Sequence, residues 1–262
     1  MTFLAPAIGD LSDALRRFHL WIALGNIEIR QRYKRSFLGP FWITINMGLL
    51  IFGIGYIYAY VFQSLHSSYV PFLATGILAW NLIGGSLSEG ANCFIAAGPI
   101  IKNITISKLI HLFHCMWRNV IIALHNGLIM VPVYLIYGGF PGWGILAIIP
   151  GAIVLLLFLV SASLLFAVLS ARYRDVPPAI AGFLQLAFFA TPIIWEADTL
   201  SRHRWIVELN PFFHMVECIR APLLRGVLPL TSLTVTGALA VLVGLVALAS
   251  YSKARRRIVY WL

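Results

Sequence analysis

What this chain lacks over long distances is charge. Residues 36–88 and 119–171 form two windows of 53 residues each without Asp, Glu, Lys or Arg. A bilayer-crossing helix needs roughly 20 mostly apolar residues, so each window holds two crossings and a turn. The breaks fall near Gln63-Ser64-Leu65-His66-Ser67-Ser68 and near Tyr137-Gly138-Gly139-Phe140-Pro141-Gly142. Two further charge-free stretches, 176–195 and 226–252, hold one crossing each. The expected architecture is all-α and integral to a membrane: a cytoplasmic segment over 1–35, then a transmembrane domain over 36–262. Its six spans lie at about 36–63, 69–95, 114–137, 144–171, 176–195 and 228–252. Charged residues are only 11% of the chain, against about 25% in soluble domains, which excludes a soluble fold of this length.

Other absences narrow the chemistry. There is no G-x-x-x-x-G-K-[ST], so the chain has no P-loop for ATP, and no H-E-x-x-H. With spans read from the charge-free windows, the membrane interior carries no Asp, Glu, Lys or Arg, which disfavours proton- or sodium-driven transport. The three cysteines, Cys93, Cys115 and Cys218, are far apart and irregular, so they read as packing residues rather than a disulfide framework. His111, His114 and Cys115 lack an obvious fourth ligand, so no metal site is assigned. The apolar run at residues 20–24 is too short for a signal core. The net charge of +10 does not point to nucleic acid, because the cations sit at span ends and not in a stripe with interleaved aromatics. No cofactor is expected in this chain; its energy source must lie elsewhere, or the protein is passive.

What charge there is sets the orientation. With the N-terminus inside, six spans return the C-terminus to the same side. The inner segments 1–35, 89–118, 172–175 and 253–262 then hold fifteen of the nineteen Lys and Arg. The outer segment 196–225 holds four arginines and four acids and is neutral. This asymmetry follows the positive-inside rule. At about 3 kcal/mol per charge near the bilayer centre, the segment 196–225 cannot cross. It is read as short helices dipping in from the outer side and broken at Asn210-Pro211, or as an amphipathic surface loop.

Near the N-terminus, Asp10 or Ser12 is positioned to cap an amphipathic helix lying in the inner headgroup plane. Glu28 and Arg32 have i,i+4 spacing. The ramp Arg30-Gln31-Arg32-Tyr33-Lys34-Arg35 leads into the first span and suits lipid phosphates, as a topology anchor or as a headgroup site. The loop around Gly98-Pro99-Ile100-Ile101-Lys102-Asn103 is expected to form a short projecting helix. Asp175 suits the start of the fifth span, with Pro177 and Pro178 in its first turn. Tyr56 and Tyr60 in the first span, with Phe52, and Gln185, Phe188 and Trp195 in the fifth, fit a wet path where rings stack on sugars. Aromatics near span ends also fit an ordinary interfacial belt. A homodimer around a central path suits so small a chain.

Taken together, several motifs resemble one family. Arg32-Tyr33-Lys34-Arg35-Ser36-Phe37-Leu38-Gly39-Pro40-Phe41-Trp42 is similar to the start of permease subunits of ABC polysaccharide exporters. So are Arg172-Tyr173-Arg174-Asp175-Val176, Thr191-Pro192-Ile193-Ile194-Trp195, and Leu209-Asn210-Pro211-Phe212-Phe213-His214 with Arg220. The ending Arg257-Ile258-Val259-Tyr260-Trp261-Leu262 resembles O-antigen export permeases. The resemblance implies a type-2 ABC exporter fold in the bacterial inner membrane, as a homodimer with two separate ATPase chains that carry ATP and Mg. It implies a polyprenyl-diphosphate-linked glycan as cargo, with its headgroup at Arg30, Arg32, Lys34 and Arg35. It places ATPase contact at 10–30 and 98–108, which with the inner turn gives Arg16, Arg17, Glu28, Pro99, Lys102, Lys108, Arg172 and Asp175. It implies that the first and fifth spans line the path. Capsule, teichoic acid or a hydrophobic drug as cargo is the alternative within this fold. A membrane-embedded enzyme acting on polyprenyl substrates is the alternative from another class, and it lacks catalytic carboxylates in the expected spans.

Overall fold

The computed structural model describes residues 4–32, 34–61, 66–104 and 106–262. Two features read from sequence, the turn at 63–65 and Tyr33 of the basic ramp, lie outside the described residues. Every regular element among the described residues is helical. In chain order these are α1 (Ala5–Arg16), α2 (Phe18–Arg32), α3 (Phe41–Val61), α4 (His66–Ala96), α5 (Gly98–Asn103), α6 (Leu109–Gly127) and α7 (Met130–Tyr137). Then come α8 (Ile148–Arg172), α9 (Val176–Ala190), α10 (Arg204–Glu208), α11 (Pro211–Arg225), α12 (Leu230–Ala254) and α13 (Ile258–Trp261). Short 3-10 turns at Gly142–Ala147 and Ala197–His203 precede α8 and α10.

Five helical stretches are long and apolar enough to cross a membrane: Phe41–Val61, Ser68–Asn103, Leu109–Tyr137, Gly142–Arg172 and Leu230–Ala254. Where the sequence suggests a fifth of six spans, the structure has the shorter apolar helix α9, of 15 residues. At 1.5 Å per residue it extends about 22 Å, and the chain continues through the irregular segment 191–196.

The central post is α4, against which α3, α6, α7, α8, α9 and α11 all pack. Its small residues make this close packing possible, as in other membrane helix interfaces. A Cβ on Gly90 would run into Ser163 of α8, and one on Gly76 would run into the Arg220 guanidinium of α11. One apolar core, including Ile51, Leu73, Ile83, Val133, Leu155 and Leu159, surrounds the upper part of α4. A second, including Phe94, Leu109, Ile110, Leu112 and Ala167, closes the end from which α5 emerges.

At that end the N-terminal segment differs from the expected single helix. It is two helices, interrupted at Arg17, and α1 begins at Ala5 with proline in its first turn. Asp10 and Ser12 lie inside α1 and cap nothing, which corrects the capping expectation. The reason is tertiary. The Asp10 carboxylate accepts hydrogen bonds from the Tyr251 hydroxyl (2.8 Å) and from Arg255 Nε (2.5 Å) and Nη2 (2.8 Å). Those hydrogen bonds hold the Arg255 pKa above its ordinary value. Ser107 Oγ donates to the Asp10 backbone carbonyl at 3.0 Å, so α1 is tied both to the end of α12 and to the start of α6.

Candidate functional site

The second N-terminal helix does not lie flat against the end of the bundle but runs beside α6. Trp21 stacks near Phe113 (5.8 Å) and Trp117 (6.1 Å), and Trp117 Nε1 donates to Asn26 Oδ1 at 3.2 Å. Further along, Thr44 at the start of α3 donates to the His125 carbonyl at 2.7 Å. From Phe113 to His125 is about 18 Å of helix rise. The basic ramp between α2 and α3 is therefore carried well along the flank of α6. Arg30, Arg32, Lys34 and Arg35 are all exposed there. Arg32 forms the foreseen i,i+4 pair with Glu28, loosely, at 3.8 Å.

Between α2, α4 and α6 sits an ion network that the charge-free windows did not foresee. Arg118 bridges two carboxylates, pairing with Glu28 and, at 2.7 Å, with Glu89. Asn119 Nδ2 donates to Glu89 at 2.6 Å, and His114 Nε2 lies 3.0 Å from Glu28. Glu89 lies inside α4 and Arg118 nine residues into α6, both within helical stretches long and apolar enough to cross a membrane, so neither charge marks a helix end. Reading a span as ending at its first charge fails when that charge meets its opposite on the neighbouring helix, because pairing removes much of the insertion penalty. Glu28, Glu89, His114 and Arg118, with His111, Cys93 and Cys115, line a cavity of about 430 Å³ that reaches α5. Among the described residues no group of three or more His, Cys, Asp or Glu is placed to hold a metal ion.

The aromatic residues assigned to a path fall on two separate helices. On α3, Tyr56 and Tyr60 are exposed and stand edge to face, with ring centroids 5.3 Å apart, while Phe52 packs against the core. On α9, Gln185 is exposed and Phe188 packs on Trp80 of α4 at 5.6 Å; Trp195 lies past the end of α9, in the irregular segment, where its Nε1 donates back to the Phe189 carbonyl at 3.0 Å. Both helices lean on α4, with at most marginal contact to each other. Within one chain the two aromatic sets therefore flank α4 and do not enclose a channel.

At the opposite end, segment 196–225 folds as a broken helical hairpin with its break at Asn210-Pro211. Asn210 caps α11 by accepting from the Phe212 N–H at 2.9 Å, and its Nδ2 donates to the Ala190 carbonyl at 3.2 Å where α9 ends. Six of its eight charges pair among themselves: Arg204 with Asp198 and Glu208, and Arg220 and Arg225 with Glu217. Arg220 is 2% exposed; its Nη1 donates to the Pro192 carbonyl at 2.7 Å, and its guanidinium stacks 4.1 Å over Phe72 of α4. Burial lowers its pKa to about 10, partly opposed by Glu217, so it is still a cation at neutral pH. Sequence reading placed Arg220 in a motif but gave no sign that it clamps α11, α4 and the segment just after α9 together.

The residues assigned to partner coupling cluster at the end where α5, α1 and the α8–α9 turn emerge. Pro99 and Lys102 are exposed on α5; Arg16 and Arg17 end α1, with Arg17 paired to Asp13 at 2.8 Å. Lys108 is half-buried, and burial lowers its pKa against the opposing pull of Asp10. Arg172 stacks on Tyr173 and Trp261, and Asp175 precedes α9 without a side-chain cap bond. Glu28 stands apart from this surface, held in the Arg118 network.

Comparison with known proteins agrees with this architecture. The family described as ABC-2 type transporter matches residues 19–224. An O-antigen export system permease protein RfbA from Klebsiella pneumoniae is 26% identical over 246 residues, 92% of this chain and 93% of that protein. A second Klebsiella RfbA is 28% identical over 240 residues, covering 87% of this chain and 90% of its own length. A Myxococcus xanthus RfbA is 23% identical, over 77% of this chain and 79% of its own. With a family match over most of its length and a bundle of membrane-spanning apolar helices, this multi-pass chain belongs to the ABC-2 type transporter family as a transport subunit.

Proposed function

We propose that this chain is the permease of an O-antigen exporter, moving a polyprenyl-diphosphate-linked polysaccharide outward across the bacterial inner membrane. The observation that carries this reading is likeness over most of the chain to permeases named for O-antigen export. Membership of the family implies an ATP-binding partner subunit. In this reading two copies of the chain pair with two ATPase chains, both termini face the cytoplasm, and α1 and α5 receive the motor's movement. Rigid-body displacement of α5 would pass directly into α4 and α6, which it joins. The exposed cations of the ramp are suited to a diphosphate by charge-assisted hydrogen bonding. The exposed Tyr56 and Tyr60 rings of α3 would come to face the exposed side of α9, with Gln185, only across a dimer.

The test is charge reversal on the ramp. R30E, R32E and R35E, singly, should abolish surface polysaccharide while the chain inserts at normal levels and still co-purifies with an ATPase encoded beside it. Normal polysaccharide in these variants would remove the ramp's headgroup role. Co-purification failing with the unaltered chain would count against the separate-motor arrangement.

A further inference from the structure

A second cavity, of about 330 Å³, opens between α3, α4 and α6 and is reached by the end of α2. Its polar lining is one cation and three carboxamides, Arg32, Asn46, Asn81 and Asn126; its apolar lining is Ile43, Met47, Leu50 and Ile122. No acid lines it. Asn126 is 2% exposed; its Nδ2 donates to Asn81 Oδ1 at 3.0 Å, while its own Oδ1 is buried without a hydrogen-bond partner. Asn81 and Asn46 are exposed, although Asn81 lies near the middle of the 31-residue helix α4. An exposed carboxamide at that depth is costly against lipid tails and needs water or a polar ligand. An Asn–Asn bond between helices would by itself be ordinary structural glue. It does not account for the third amide, the arginine at the rim, or the unpaired oxygen on the same cavity.

The chemistry specifies the occupant. Arg32 offers a forked cation for a phosphate. Asn46, Asn81 and Asn126 offer both donors and acceptors, which suit hydroxyl groups. The apolar wall suits a hydrocarbon chain. We propose that this recess is a subsite for the first sugar attached to the lipid diphosphate, with the phosphate at Arg32 and the sugar hydroxyls on the three carboxamides. The proposal rests on the headgroup reading of the ramp and extends it by giving the membrane subunit a contact to the glycan itself, on the α6 side of α3. A glycerophospholipid with a hydroxylated headgroup presents the same combination of phosphate and hydroxyls, so the test must separate the two sources.

The full chain in phosphatidylcholine nanodiscs would be titrated with polyprenyl diphosphate, with polyprenyl diphosphate bearing one sugar, and with phosphatidylglycerol as competitor, and binding read by native mass spectrometry. R32Q should weaken both polyprenyl ligands. N81L should weaken the sugar-bearing lipid about tenfold, the loss of one or two hydrogen bonds, and leave bare diphosphate unchanged. N46L, at an exposed position, should show the same selectivity and guards against an N81L chain that fails to fold. Loss of both ligands to equal extent, or of neither, in the correctly folded asparagine variants overturns the sugar subsite while the ramp reading stands. Displacement of the sugar-bearing lipid by equimolar phosphatidylglycerol also overturns it. If the unaltered chain binds neither polyprenyl ligand, the ramp reading falls and the subsite falls with it.

Discussion

Removing Glu89 and Arg118 one at a time and together tests whether the charges inside α4 and α6 are a true pair. The Arg118 side chain is 14% exposed and Glu89 34%. Charges 4 Å apart interact by about 4 kcal/mol at an effective dielectric near 20. Desolvation and the partial exposure of Glu89 offset about half of that, leaving a coupling of about 2 kcal/mol. R118L strands two carboxylates, Glu28 and Glu89, and should cost about 3 kcal/mol. E89L should cost less, about 1–2 kcal/mol, because Arg118 keeps Glu28. The double variant E89L/R118L should cost about 2 kcal/mol less than the two single losses together, since Glu89 is then no longer a stranded carboxylate and only Glu28 loses its partner. The assay is reversible unfolding of the purified chain in mixed micelles, with all four proteins measured under one condition. Additivity within about 0.5 kcal/mol would refute the claim that these charges are tolerated in the spans because they meet each other.

Three more perturbations follow from contacts already described. G76A pushes a methyl into the buried Arg220 guanidinium and should destabilise by about 1–3 kcal/mol; restoration of stability in G76A/R220M, measured by thermal unfolding, would identify that clash as the cause. D10N halves the acceptor strength facing Tyr251 and Arg255, so α1 should detach more often, seen as faster amide exchange across Ala5–Arg16 with the spans unchanged; unchanged exchange would mean that α1 is held by other contacts. N210A removes the cap of α11 and its bond to the end of α9, and should cost about 1–2 kcal/mol with exchange rising first at 190–212; uniform loss across the bundle would contradict a local staple.

Much of the topology was legible because the bilayer imposes a simple rule on sequence. The break after Tyr137, the proline-marked turn before α9 and the Asn210-Pro211 break all correspond to helix boundaries in the structure. What was not legible depends on partners far apart in the chain. Glu89 and Arg118 are 29 residues apart, so each looks like the end of a span until the two helices are brought together. Asp10 resembles a cap by local chemistry, yet its partners Tyr251 and Arg255 lie 241 and 245 residues away. Asn81 and Asn126, 45 residues apart, gave no periodic signal, because carboxamides carry no charge and hardly disturb a hydropathy profile. The path aromatics were read from helical spacing alone, and spacing gives the face of a helix without saying what that face meets.

The pairing of Glu89 with Arg118 also bears on how the chain is made. During synthesis α4 leaves the ribosome before α6 exists, so Glu89 reaches the membrane with no cation to answer it. A charge costs up to about 3 kcal/mol on insertion scales, and less toward the helix end where Glu89 sits, which favours holding the last turns of α4 at the aqueous boundary until Arg118 arrives. The second and third crossings are then expected to enter together, as a unit whose electrostatic debt is settled within the helical pair, and a nascent chain halted before α6 would leave α4 only partly embedded.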